Sequence, residues 1–183
     1  MKPSDFEQVL LSENQIQQRL DQLAANIQRD YADKDLTLVG VLTGSVMFLA
    51  DLLRRLTIEL RVDNIGVSTY RGGTQPSGEF TITKALWLDV KDRDVLIVDD
   101  ILDSGLTLTK VRTMIQNLHP RSVKFCVFLE KEVPHIENFQ ADYVGFKVPN
   151  HFVVGYGLDY RERYRNLPYV ATLRHAALES TRS

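Results

Sequence analysis

Between Val95 and Leu108 the chain reads VLIVDDILDSGLTL, so that three carboxylates, two hydroxyls and a glycine follow directly on an apolar run. Ser104, Gly105, Leu106 and Thr107 offer closely spaced backbone N–H groups. Gly105 permits a tight backbone, and a helix starting near Thr107 adds the positive end of its dipole. Such a cradle suits a phosphate monoester. Read as structure alone, Ser104 and Thr107 fit equally well as helix N-caps. Asp99, Asp100 and Asp103 beside an anion cradle make sense if they bind hydroxyls, a divalent cation or a proton. Acids at the end of a buried strand need such partners. The pattern implies a phosphorylated sugar.

These residues need a scaffold, and the periodicity supplies one. Val95, Leu96, Ile97 and Val98 are apolar, with β-branched residues among them, as in a strand buried on both faces of a parallel sheet, whose C-terminal end is where ligands bind. A strand is expected over Asp94–Asp99, then a helix over Thr107–Leu118 with Leu108, Val111, Ile115 and Leu118 inward, then a strand over Ser122–Leu129. Upstream, Ser12 and Gln15 form a capping-box pattern, and Ile16, Leu20, Leu23, Ile27 and Tyr31 mark an amphipathic helix. Leu36–Leu42 reads as a strand ending in Thr43-Gly44-Ser45, and Val46–Leu56 returns to helical spacing through Leu49, Leu52, Leu53 and Leu56. Leu60–Tyr70 reads as a strand, Arg71–Gly78 as a Gly-rich loop with one Pro, and Glu79–Leu88 as a returning strand pair or one long strand, a hairpin that is a candidate flap. The βαβ alternation gives a parallel sheet.

At 183 residues, 44% hydrophobic and 25% charged, the chain reads as one globular domain, with a polar end at Ala176–Ser183. A net charge of -2 argues against a nucleic-acid footprint. No apolar stretch approaches the roughly 20 residues of a membrane span, and no leader pattern opens the chain, so a cytoplasmic protein is expected. The single cysteine, Cys126, lies in the apolar run FCVFL and reads as a buried core thiol.

Two acids ending an apolar strand, a third acid three residues later, then Ser-Gly and Thr, are the phosphoribosyl pyrophosphate signature of the type I phosphoribosyltransferases, and the chain resembles that family. The likeness extends to Leu42-Thr43-Gly44-Ser45, to Thr69-Tyr70 before the Gly-rich loop, to Lys131, and to FVVGYGLDYRERYRNLPY, Phe152 to Tyr169. These are similar in type and order to the 6-oxopurine (hypoxanthine-guanine) branch, for which VVGYGLDY is the specific element. The resemblance covers Leu36 to Leu173. It implies an α/β fold in which a central, mostly parallel sheet is flanked by helices, with a small hood formed by parts of the N- and C-terminal segments and a flexible β-hairpin flap, all in a single domain spanning 1–183.

The resemblance also implies an activity: Mg²⁺-dependent transfer of the 5-phosphoribosyl group from phosphoribosyl pyrophosphate to N9 of hypoxanthine or guanine, giving IMP or GMP and pyrophosphate in purine salvage, by a homodimer or homotetramer. Carried onto this sequence, Ser104, Gly105, Leu106 and Thr107 hold the 5′-phosphate. Asp99 and Asp100 accept from the ribose hydroxyls directly or through a metal, and Ile101, which follows them, belongs to the same phosphoribosyl-binding run. Asp103 is the general acid/base that faces N7 of the purine. Thr43, Gly44 and Ser45 with Arg165 bind pyrophosphate, leaving Arg161 and Arg163 as surface charges. Thr69 and Tyr70 of the flap contact the leaving group. Lys131 donates to O6, Phe152 stacks on the base, Val153 uses its backbone on the N1 edge, and Asp159 binds a second Mg²⁺ and the guanine amino group. The metal ligands so implied are Asp99, Asp100 and Asp159.

Two residues depart from common family variants: Thr43 stands where some relatives carry Lys, and Asp99 where many carry Glu. Without the resemblance, Phe152 reads more simply as a core aromatic and Lys131 as a solvated charge. VLIVDD also opens response-regulator receivers, but here it falls mid-chain, is followed by DSG, and lacks the later strand-ending Asp and downstream Lys. A xanthine-preferring transferase and an RNA-binding regulator on the same fold are the alternatives within the resemblance. Its purine-specific segment and near-neutral charge disfavour the regulator.

Overall fold

The computed structural model of the chain describes residues 6–69 and 80–174. Its elements are β1 (Phe6–Leu11), α1 (Glu13–Tyr31), β2 (Leu36–Leu42), α2 (Val46–Leu53), β3 (Leu60–Thr69), β4 (Phe80–Lys84), β5 (Asp94–Leu102), α3 (Leu106–Gln116), β6 (Ser122–Lys131), β7 (Tyr143–Val148), β8 (Val153–Val154) and β9 (Val170–Leu173). Six strands form one sheet in the order β4-β3-β2-β5-β6-β7, parallel throughout except for β4, which returns antiparallel on β3. β1, β9 and β8 form a small antiparallel sheet that joins the two ends of the described chain. The expected mostly parallel α/β sheet is therefore present.

Burial on both faces explains the continuous apolar strands. Leu36, Leu38, Leu96 and Val98 pack with Ile16, Leu20 and Leu23 of α1 and with Phe48 and Leu52 of α2. Val39, Val41, Val95 and Ile97 pack on the other face with Leu108, Val111 and Ile115 of α3. Cys126 belongs to the first cluster and is fully buried. The capping box of α1 forms as read: the Gln15 amide donates to Ser12 Oγ and the Ser12 amide to Gln15 Oε1.

Element ends differ from expectation, for local reasons. β5 continues to Leu102 because β6 runs beside it, pairing Ile101 with Leu129 and Leu102 with Glu130. Asp99 and Asp100 thus lie inside the strand. α2 stops at Leu53, since the Arg55 and Leu56 amides bond three residues back and tighten the chain out of the helix. α3 stops at Gln116, and Leu118, expected inward, is 43% exposed on the following turn. β4 ends at Lys84 and does not run on to Leu88. The buried carboxylate of Asp63 on β3 accepts from the Trp87 and Leu88 amides at 2.6 and 2.9 Å, which turns the chain. Tyr70, the loop Arg71–Gly78 and the polar end Ala176–Ser183 lie outside the described residues. Among the described residues, no helix is long and apolar enough to cross a membrane.

Candidate functional site

β2 and β5 pair in register from Leu36 with Asp94 to Gly40 with Val98, so their C-terminal ends open at one edge of the sheet. A cleft of about 340 Å³ lies there, lined by Val41, Leu42, Gly44, Val67, every residue from Asp99 to Leu108, and Asp159 and Arg165. The whole phosphate motif therefore faces one space. Gly105 caps α3 with φ +83°, a left-handed conformation suited to glycine, and neither Ser104 nor Thr107 takes that place. Ser104 instead leans its hydroxyl toward the Leu106 amide at 3.4 Å. A Cβ on Gly105 would also come within 3.2 Å of Phe139 Cβ.

The acids differ in their surroundings. Asp99 is buried, and the Asp100 amide donates to its Oδ1 at 2.9 Å. Burial, and then the neighbouring Asp100 charge, push the Asp99 carboxyl well above the usual carboxylate range. Burial pushes Asp100 up as well, opposed by hydrogen bonds from Asp99 and nearby amides and by the Arg165 charge. Asp103 stands further out, 56% exposed, and accepts from Lys131 Nζ at 2.9 Å. The Lys131 side chain, 13% exposed at the end of β6, depends on that partner.

The far wall is built by glycines. Gly157, at φ +99°, brings its backbone so close to the Gly44 loop that a Cβ there would meet Gly44 O at 2.0 Å. Gly157 N–H donates to Arg165 O, and Arg165 Nη1 donates back to Gly157 O at 2.8 Å. The guanidinium is thereby fixed beside Asp159, with Nη2 2.9 Å from Asp159 Oδ1 and 3.1 Å from Glu162 Oε2. On the near side, Gly44 lets Asp100 approach: a Cβ at Gly44 would lie 1.7 Å from Asp100 Oδ2. The Leu42–Thr43 peptide is cis, and the buried Ser45 hydroxyl donates to Val41 O at 2.6 Å. Ser45 therefore has only its backbone to offer an anion.

Of the candidate purine residues Asp159 lines this cleft, whereas Lys131, Phe152 and Val153 are not part of its lining. Lys131 reaches it through Asp103. Phe152 is 49% exposed beside the small sheet and meets the Tyr160 ring edge-to-face at 5.5 Å, next to Asp159. Its own hollow, about 250 Å³, also includes Glu7, Gln8, His151, Thr172 and Leu173. Val153 is buried at the start of β8, paired with Thr172. Thr69 ends β3, and Tyr70 lies outside the described residues. Arg161 and Arg163 are exposed, as read.

A divalent cation suits part of the acid set. Asp99 and Asp100 are adjacent carboxyls whose burial disfavours their charged forms, a penalty that a hard cation accepting their oxygens would relieve. Asp99, Asp100 and Asp159 line one cleft, but among the described residues no three His, Cys, Asp or Glu groups close into a metal-holding cluster. Arg165 and the Glu162 amide hold Asp159. The residues present fit a cation that brings most of its oxygens with the substrate and takes the rest from Asp99, Asp100 or Asp159.

Sequence reasoning missed Val41, Val67, Gly157 and Glu162. Gly157 was visible inside VVGYGLDY as a glycine two residues before the acid. Glu162 carried no signal, because its contact with Arg165 is made only in the fold.

Residues 9–161 match the phosphoribosyl transferase domain family. The chain is 46% identical over 170 residues to a hypoxanthine-guanine phosphoribosyltransferase of Staphylococcus epidermidis, covering 93% of this chain and 95% of that protein. It is similar to the crystal structure of a hypoxanthine phosphoribosyltransferase from Staphylococcus aureus, with TM-score 0.88, 44% identity, and coverage of 93% and 92% of the two chains. It is also similar to a solved hypoxanthine-guanine-xanthine phosphoribosyltransferase, with TM-score 0.85, 37% identity, and coverage of 93% and 98%.

Proposed function

The chain belongs to the phosphoribosyltransferase family, and from that premise we propose that it serves purine salvage, moving the 5-phosphoribosyl group of phosphoribosyl pyrophosphate onto N9 of hypoxanthine or guanine. The products are IMP or GMP and pyrophosphate. We read the chain as one domain with the small sheet as its hood. The observation that carries the reading is the meeting, in one cleft, of the Gly105-capped helix, three acids, and the Arg165–Asp159 turn packed on Gly44.

In this reading the amides from Ser104 to Thr107 hold the 5′-phosphate at the positive end of α3. Asp99 and Asp100 accept from the ribose hydroxyls. Breaking the C1–O bond builds oxocarbenium character on the ribose, and their charges stabilise it. Arg165 and the Thr43-Gly44-Ser45 backbone receive the departing pyrophosphate. Asp99 or Asp100 would hold Mg²⁺ together with substrate oxygens, and the ion would supply charge neutralisation to that leaving group. Asp103 takes the purine proton at N7, and Lys131, released from Asp103, donates to O6. Adenine presents an amino donor at that position, which leaves polar groups unpaired. Phe152 covers the base, and the Asp159 carbonyl takes the guanine amino group. Xanthine is a second reading, favoured by the relative whose name includes it.

Calorimetric titration with nucleotides tests the assignment. IMP and GMP should bind, with AMP at least about tenfold weaker for want of a carbonyl facing Lys131. AMP binding as tightly as IMP would overturn it.

A further inference from the structure

Beyond β6 the chain passes through Glu132–His135 and a short 3-10 turn at Ile136–Asn138 before Phe139 enters the core. This segment lies against the phosphate loop and is fastened to it twice. Lys131 Nζ donates to Asp103 Oδ2 at 2.9 Å, and the Ile136 amide donates to the Ser104 carbonyl at 2.8 Å. Between these two points stands His135. Its Nε2 lies 3.2 Å from the carbonyl of Lys131, which can only accept, so the imidazole carries a proton on Nε2 and donates it. The same carbonyl accepts from the Val133 amide at 2.9 Å. A Cβ on Gly105 would come within 3.7 Å of His135 Cβ, so His135 also backs the glycine that caps α3.

We propose that His135 is a positioning residue for purine recognition: its Nε2–H bond to the Lys131 carbonyl holds the backbone of Lys131 so that the ammonium meets the purine O6 after leaving Asp103. The inference rests on the purine reading above. A lysine side chain has four rotatable bonds, and its head finds one acceptor reliably only when its backbone is fixed. The Val133 amide fixes that carbonyl from one side, and His135 closes the bend from the other. Because Ile136, the next residue, is tied to Ser104, the brace sets the purine-reading lysine in register with the 5′-phosphate cradle. His135 itself need not touch substrate.

The test is steady-state kinetics of His135→Ala and His135→Gln with hypoxanthine, guanine and adenine, alongside thermal melting. Gln places an amide N–H near the position of Nε2 and should restore the bond. For His135→Ala, the expected result is a hypoxanthine KM raised about fivefold, in keeping with one lost hydrogen bond, and a hypoxanthine-to-adenine ratio of kcat/KM lowered to match. kcat and the KM for phosphoribosyl pyrophosphate should stay within about twofold of wild type, and His135→Gln should recover most of the loss. Purine KM unchanged in His135→Ala overturns the inference. So does an equal fall for both variants in every kinetic parameter and in melting temperature, since that marks a merely structural role. A wild-type protein that forms no IMP overturns the functional reading itself, and the inference with it.

Discussion

Replacing Gly44 by Ala isolates a single contact. No left-handed backbone is needed at Gly44, so Ala fits the chain and only space is at issue. The new Cβ would sit 1.7 Å from Asp100 Oδ2 and 2.5 Å from its Cγ. A carbon and an oxygen need roughly 3.3 Å, so the carboxylate must withdraw by about 1.5 Å. Misplacing a catalytic group by about 1 Å can cost on the order of 10² in rate, and a loss of at least that size in kcat/KM for phosphoribosyl pyrophosphate is expected. Melting temperature should move little, because Asp100 borders an open cleft. The assay is the absorbance change as hypoxanthine becomes IMP, run on Gly44→Ala, Asp100→Ala and the double variant. If the clash is the cause, Gly44→Ala costs less than about threefold on the Asp100→Ala background, since the group it displaces is gone. Gly44→Ala within threefold of wild type would refute the reasoning, as would a full 10² loss on the Asp100→Ala background.

Asp103→Asn keeps the shape but cannot accept a proton, so kcat should fall by about 10² to 10⁴ while the Kd of phosphoribosyl pyrophosphate changes little; kcat within a few-fold of wild type would reassign the base. Exhaustive chelation should abolish turnover and Mg²⁺ restore it, and turnover that survives metal removal would exclude the cation from the reaction. Asp63 gives a pH test of stability. Burial pushes its carboxyl up, but the Leu88, Asn64 and Trp87 amides with Lys84 outweigh burial and hold it below 3.8. A carboxyl depressed on folding contributes stability above its unfolded value and loses it as pH falls through the folded one. In urea denaturation, wild type should therefore exceed Asp63→Asn above about pH 4, the gap closing as pH falls further; a gap that is constant with pH would contradict the assignment.

The sequence was most legible where burial is symmetrical. β2 appears with the bounds read for it, and α1 is set by five apolar positions and a capping box, because both depend on local pattern. The phosphate motif was legible for the same reason, being continuous from Asp99 to Thr107. The small sheet was expected only as a hood, without its strands. β8 has two residues and β9 four, too short for a period to show, and β1 is mostly exposed. The boundary at Lys84 was invisible because Asp63, 21 residues earlier, sets it. Arg165 was found by its place in a motif. Its hold on Asp159 and Gly157 could be seen only once the turn closed on Gly44.

The most direct test of phosphoribosyl transfer to a 6-oxopurine is a competition in one vessel: limiting phosphoribosyl pyrophosphate, Mg²⁺, and equal concentrations of hypoxanthine, guanine, xanthine, adenine and uracil, with the nucleotides separated and counted. IMP and GMP should account for nearly all the product and pyrophosphate should appear in equal amount, with AMP and UMP at trace levels. AMP or UMP as the main product, or consumption of the donor with no nucleotide formed, would contradict it.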